Sequence, residues 1–219
     1  MRLRLLITSL ILTVGVANAD AQVTISGGPS WLGGHPIGTS TAELRTNAPG
    51  AEPPPFTLFT LDSRIAPSVA GEVRVGVEIT SRLSVEGGAA FGRRRVPFSI
   101  TGDVEAGSQE LEGESLQHYV FDAGLAWQLG RPRGTRLRMF VLGGAGYLRQ
   151  LHQDRTLVES GQVYYAGAGA KYWLWHRPDS SRSLGVRGDV RLNVRRHGID
   201  FKDTVRLFPS VSLFLFLAL

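Results

Sequence analysis

The chain contains no cysteine. That excludes a disulfide framework, a thiolate metal site and a thiol nucleophile, so stability has to come from closing and packing backbone structure. It also lacks any apolar run of the roughly 20 residues that a spanning helix needs, and it lacks a long helical period. A clustered basic face is missing as well, since Lys and Arg are spread along alternate positions, and nucleic-acid binding is not expected. The formal charge of +5 includes Arg2 and Arg4 at the N-terminus. Glycine, by contrast, is abundant at 27 residues, and glycine is poorly tolerated inside helices.

The N-terminus reads as a secretory signal. Arg2 and Arg4 give a positive start, residues 5–16 are apolar, and Ala17, Asn18 and Ala19 form a small-residue cleavage motif. The expected division is a signal peptide over residues 1–19, cleaved near Ala19 or Ala21, followed by one domain over residues 20–219.

From Val23 onward the dominant pattern is strict alternation. In residues 184–195, Leu184, Val186, Val190, Leu192 and Val194 share one face, and Arg187, Asp189, Arg191, Asn193 and Arg195 share the other. A helix at 3.6 residues per turn would scatter both sets around its circumference, so this is a strand. The same reading finds seven more. Val23, Ile25 and Trp31 mark the first, Val69 to Ile79 the second, Leu83 to Phe91 the third, and Tyr119, Phe121, Leu125 and Trp127 the fourth. The fifth covers about 136–148, the sixth about 163–175, and the last carries Val205, Leu207, Val211, Leu213, Leu215, Leu217 and Leu219 in one row. Connections alternate long and short: residues 33–64 and 94–116 are read as long loops, 80–81 and 130–135 as turns. This is the rhythm of an antiparallel up-and-down transmembrane β-barrel of about eight strands with both termini on the periplasmic side.

A soluble barrel would put its apolar face inside. Here the apolar face carries aromatics near strand ends, with Trp31, Tyr119, Tyr147 and Tyr164 towards one rim and Trp127 and Tyr172 towards the other, as interfacial girdles do. The polar face carries small residues, among them Gly88, Ala90, Gly124, Ala126, Gly144, Gly146, Gly167 and Gly169, which relieve crowding inside a narrow cylinder. An inside-out barrel follows, with lipid as its outer solvent.

The stretches 141–147 (VLGGAGY), 165–173 (YAGAGAKYW) and 184–194 (LGVRGDVRLNV) resemble strands of the small outer-membrane β-barrel superfamily, which includes the OmpA transmembrane domain and OmpX. The resemblance implies a bacterial outer-membrane location, contact with outer-membrane lipid including lipopolysaccharide, and recognition of the C-terminal strand by the barrel-assembly machinery. Members commonly end in Phe, whereas this sequence ends FLFLAL. The expectation is a barrel whose last strand is not followed by a peptidoglycan-binding domain of the kind joined to OmpA-type barrels.

The polar face assigns Glu72, Arg74, Glu78, Glu86, Asp122, Arg138, Lys171, Arg187, Asp189 and Arg191 to the lumen. Charges of both signs in so narrow a space point to an ion-pair plug rather than a channel lining. A lipid A-modifying enzyme would need a nucleophile, a base and an orienting carboxylate together. The candidates are His118, Asp122, Ser160, His152 and His197. Along one strand His118 and Asp122 are roughly 13 Å apart, and no Ser-His motif of those enzymes is present. No catalytic residue, cofactor or metal is expected. The run Arg93, Arg94, Arg95, with Arg149, Arg155, Arg195 and Arg196, ends strands on one side and suits lipopolysaccharide phosphates. Arg131, Arg133, Arg177 and Arg182 place similar charge at the opposite end, and a solvated rim is the simpler expectation. Finally, the apolar phase shifts from odd (Leu83 to Phe91) to even (Val96, Phe98, Ile100), which predicts a β-bulge near residues 94–96, a strand running on past the bilayer, and an exposed tip over 102–114.

Overall fold

A computed structural model describes residues 22–44, 56–103, 107–130, 136–153, 157–176, 182–199 and 204–219. The expected leader and turn residues 131–135 lie outside them, as do Arg131, Arg133, Arg155 and Arg177.

All regular elements among the described residues are strands. Eight close into an antiparallel barrel: β1 (Val23–Leu32), β4 (Ser68–Glu78), β5 (Leu83–Arg95), β8 (Ser115–Leu129), β9 (Leu137–Leu151), β10 (Val158–His176), β11 (Ser183–His197) and β12 (Arg206–Ala218). Each pairs with its neighbours along the chain, and β1 pairs with both β4 and β12 to close the cylinder. Closure removes every free barrel edge, which a chain dissolved in lipid requires because no water is present to satisfy open backbone groups. The short connection after β4 lies at one end of the barrel, the turn end; the long connections lie at the other, the loop end.

Alternation along the strands becomes alternation through the wall. In β12, Leu207, Val211, Leu213 and Leu215 are exposed while Phe208, Ser210, Ser212, Phe214 and Phe216 are buried. The exterior is a continuous apolar surface that includes Ile25, Val73, Val75, Leu125, Met139, Val190 and Leu213. A patch of that extent has no stable place in water.

Residues 33–64 and 94–116 do not form plain loops. They carry β2 (His35–Leu44), β3 (Phe56–Ile65), β6 (Phe98–Thr101) and β7 (Gln109–Leu111), which pair as a second four-stranded sheet in the order β2-β3-β6-β7. Its alternation was obscured because the β2–β3 ladder shifts register twice, near Pro36 and near Ala42. Pro36 sits at such an irregularity, where its missing N–H need not pair. The expected bulge in the third strand is also replaced by something else. The β5–β8 ladder runs unbroken to Arg95 opposite Ser115. The chain then leaves the barrel at Val96 and Pro97 and joins the second sheet as β6, so a change of sheet absorbs the phase shift. Gln109, Glu110 and Leu111 of the expected tip are exposed.

The second sheet is seated on the barrel mouth by an apolar lid. Ile37, Ile65, Val96 and Leu116 are buried together, with Phe98 and Ile199 packed against them. Backbone bonds fix the seat, from Ala66 N–H to the Arg95 carbonyl at 2.8 Å and from Val96 N–H to the Glu114 carbonyl at 2.9 Å.

Candidate functional site

The middle of the lumen is a charge network carried by β4, β5, β8 and β11, with hydroxyl groups from β10 and β12. Arg74 of β4, 1 % exposed, stands at its centre. Its guanidinium donates to Glu72 at 2.7 Å, to Asp122 at 2.5 Å and to the Tyr165 hydroxyl at 3.1 Å, and lies 3.6 Å from Glu86. Arg187 of β11 bridges Glu86 at 2.7 Å and Asp189 at 3.1 Å, and Arg191 bridges Glu72 at 2.9 Å and Asp189 at 2.8 Å. Ser212 donates to Glu72 at 3.1 Å, and the Tyr165 hydroxyl donates to Asp122 at 2.8 Å. Each carboxylate here contacts at least one guanidinium, so every charge of this network has a partner of opposite sign, the condition under which such burial is tolerable.

The remaining lumen residues named from sequence lie nearer the turn end. Lys171 is buried, with its ammonium 5.9 Å from the Phe140 ring. Arg138 stacks at 4.5 Å on Trp173, and Glu78 accepts a bond from Gln128 at 3.3 Å.

Glycines make the space for this network. A Cβ on Gly124 or Gly144 would come within 2.5 Å of the Tyr165 hydroxyl oxygen, and one on Gly169 within 2.5 Å of Phe140. The aromatics that occupy that space, Phe140, Tyr165, Trp173, Phe214 and Phe216, were missed by the sequence reading. Their signal was their inward phase.

Trp31, Trp127, Tyr147, Tyr164 and Tyr172 are exposed on the outer wall near strand ends, and Tyr119 is half-buried against Phe91 with ring centroids 4.9 Å apart. A register shift in β10 after Trp173 turns Trp175 outward at the turn end, adding a residue that strict alternation would have placed inside.

The catalytic candidates are not brought together as a site. Asp122 is engaged by Arg74 and Tyr165, His118 is buried opposite Gln150, Ser160 is on the exposed face of β10, and His197 is exposed with φ of 61°. His152 instead meets Glu114, Nδ1 to carboxylate oxygen at 2.7 Å, while the Gln153 N–H donates to the same carboxylate at 2.7 Å. This clasp joins the β7–β8 and β9–β10 connections. Burial pushes the Glu114 carboxyl up, but the bonds from His152 and Gln153 outweigh it and hold it below its ordinary value. A depressed carboxyl contributes stability above its unfolded pKa and loses it as pH falls through the folded one. Amide exchange at Gln153 is therefore expected to stay slow at neutral pH and accelerate below the ordinary carboxylate range, and in Glu114→Gln to lose that pH dependence.

The arginines at the loop end divide by phase. Arg93, Arg95, Arg149 and Arg196 are exposed on the outer wall. Arg94 and Arg195 are buried and point inward, so the expectation of a solvated rim fails for these two. Arg94 ties the chain at the barrel mouth, donating to the Gly33 carbonyl at 2.5 Å and the Ala66 carbonyl at 3.2 Å.

A closed eight-stranded barrel has counterparts among solved structures. The outer membrane protein OprG from Pseudomonas aeruginosa aligns with a TM-score of 0.50 at 8 % identity, over 91 % of this chain and 96 % of that one. The fold is that of a small outer-membrane β-barrel. Neisserial surface protein A aligns at 0.47 with 10 % identity, over 90 % of this chain and 96 % of that one. Ail, the attachment invasion locus protein of Yersinia pestis, aligns at 0.43 with 13 % identity, over 91 % and 99 %. No protein-family model matches the sequence, and no curated protein matches it either. The likeness is therefore one of the barrel fold, and what this barrel does has to be argued from its own side chains.

Proposed function

We propose that the chain is a non-enzymatic integral protein of a bacterial outer membrane, serving envelope integrity or surface contact through the second sheet at its loop end. The observation that carries this reading is the filled lumen. Arg74, Arg187 and Arg191 are locked to four carboxylates across the interior, and Ile37, Ile65, Val96 and Leu116 cover the mouth above them. A barrel so plugged has no work to do along its axis, which leaves the wall and the sheet outside it. The leader expected over residues 1–19 supports export, and the apolar wall supports lipid as the final solvent.

On this reading the loop end faces the cell exterior. Arg93, Arg95, Arg149 and Arg196 stand on the outer wall beside Tyr119, Tyr147 and Tyr164, at the level where guanidinium groups meet lipopolysaccharide phosphates. The assembly machinery would read β12, whose outward row runs from Leu207 to Leu217.

Planar-bilayer recording tests the reading against a narrow channel for small solutes. The folded chain is expected to pass no steady current at any applied potential. A stable, reproducible conductance would overturn the plugged-barrel account in favour of the channel.

A further inference from the structure

The charge balance that holds in the middle of the lumen breaks down at its loop end. Arg94 is 1 % exposed and has no carboxylate within ion-pair distance among the described residues. Two of its nitrogens are used on the Gly33 and Ala66 carbonyls, and Nη1 is buried with no partner. Beside it, Gly92, His118 and Gln150 form one cross-strand row on β5, β8 and β9, and Arg94 is the next inward residue after Gly92. His118 is 2 % exposed, and neither ring nitrogen has a hydrogen-bond partner. Gln150 is fully buried, and its Oε1 accepts the Ile199 N–H at 3.2 Å. That bond fixes the amide orientation and leaves Nε2 as an unmatched donor.

Arg94, His118 and Gln150 thus place unmatched buried N–H groups on three adjacent strands with no carboxylate beside them among the described residues, and one of the three carries a charge that cannot be discharged by losing a proton. Water could fill the hydrogen-bonding positions, but it would leave the guanidinium charge uncompensated in a closed interior. The lid above, Ile37, Ile65, Val96 and Leu116, offers no side-chain acceptor.

We propose that the loop end of the lumen is a binding site for a small inorganic anion of chloride size, held by Arg94, His118 and Gln150 beneath the apolar lid.

The test uses the folded full chain in detergent micelles. Its thermal unfolding midpoint is compared in sodium chloride, sodium bromide and sodium gluconate at equal ionic strength, gluconate being too large for the site. A saturable rise with either halide, absent in gluconate, is expected, together with an anomalous bromide peak in crystals within hydrogen-bond reach of Arg94, His118 and Gln150. Gln150→Leu removes one donor to the ion and should weaken the apparent halide affinity roughly tenfold or more, and Arg94→Gln should abolish the halide effect. Arg94 also ties two carbonyls, so if that variant fails to fold, Gln150→Leu and the bromide peak decide the matter. Equal midpoints in chloride and gluconate, water alone at the site, or an unchanged halide response in Gln150→Leu would each overturn the proposal.

Discussion

Replacing Arg74 with methionine should destabilise the folded barrel by about 3–5 kcal/mol, the cost of leaving buried partners of a broken ion pair uncompensated. Arg74 touches Glu72, Glu86 and Asp122 at once, and methionine fills much of its volume without supplying charge or donors. The carboxylates left behind would repel one another inside a closed wall. Urea-induced unfolding and refolding in lipid vesicles measures this directly. Adding Asp122→Asn to Arg74→Met should recover part of the loss, because one of the stranded charges is then gone. A single-variant cost below about 1 kcal/mol, typical of an exposed pair, would mean that water reaches the network and that the lumen is not plugged.

The second large effect is expected on the opposite face of the wall. Val190 lies in mid-β11, 56 % exposed, between Ala168 of β10 and Val211 of β12. Val190→Arg should cost about 2–4 kcal/mol in a bilayer, the range for a cation on the lipid face near the midplane. Three residues on, Asn193 points inward and donates to the Ser210 hydroxyl at 2.9 Å and the Phe208 carbonyl at 3.2 Å. Asn193→Ala should cost about 1 kcal/mol, the scale of ordinary hydrogen bonds. Equal costs for the two variants would undo the assignment of faces.

The barrel strands were legible because a period of two survives translation into a wall with unlike solvents on its two sides. Residues 184–195 show this well, since each side chain's phase alone tells where it points. The second sheet was not legible for the same physical reason in reverse. Its β2–β3 ladder slips register twice, and β6 and β7 span only 4 and 3 residues, too short for a period to declare itself. The phase change after Phe91 was visible, but not its resolution. Whether a chain absorbs a slip by a bulge or by leaving the sheet depends on which partner strand is waiting, and here that partner is β3, far back in the sequence.

The lumen shows a similar limit. Periodicity selects the inward residues but says nothing of what they meet across the cylinder. Arg74 finds Asp122 at a separation of 48 residues, Arg187 finds Glu86 at 101 and Arg191 finds Glu72 at 119. Arg94 and Arg195 had the inward phase, yet their place at strand ends suggested solvent. The lid makes the difference, and three of its four buried residues, Ile37, Val96 and Leu116, fall in stretches that read as long connections.

Membrane fractionation followed by gel migration with and without heating tests the closed barrel and its location in one measurement. The chain is expected to sediment with the outer membrane, and the unheated protein to run faster than the heated one, because a closed barrel stays folded and compact in detergent until heat opens it. Recovery in the soluble periplasmic fraction, or a single mobility that heating does not change, would contradict it.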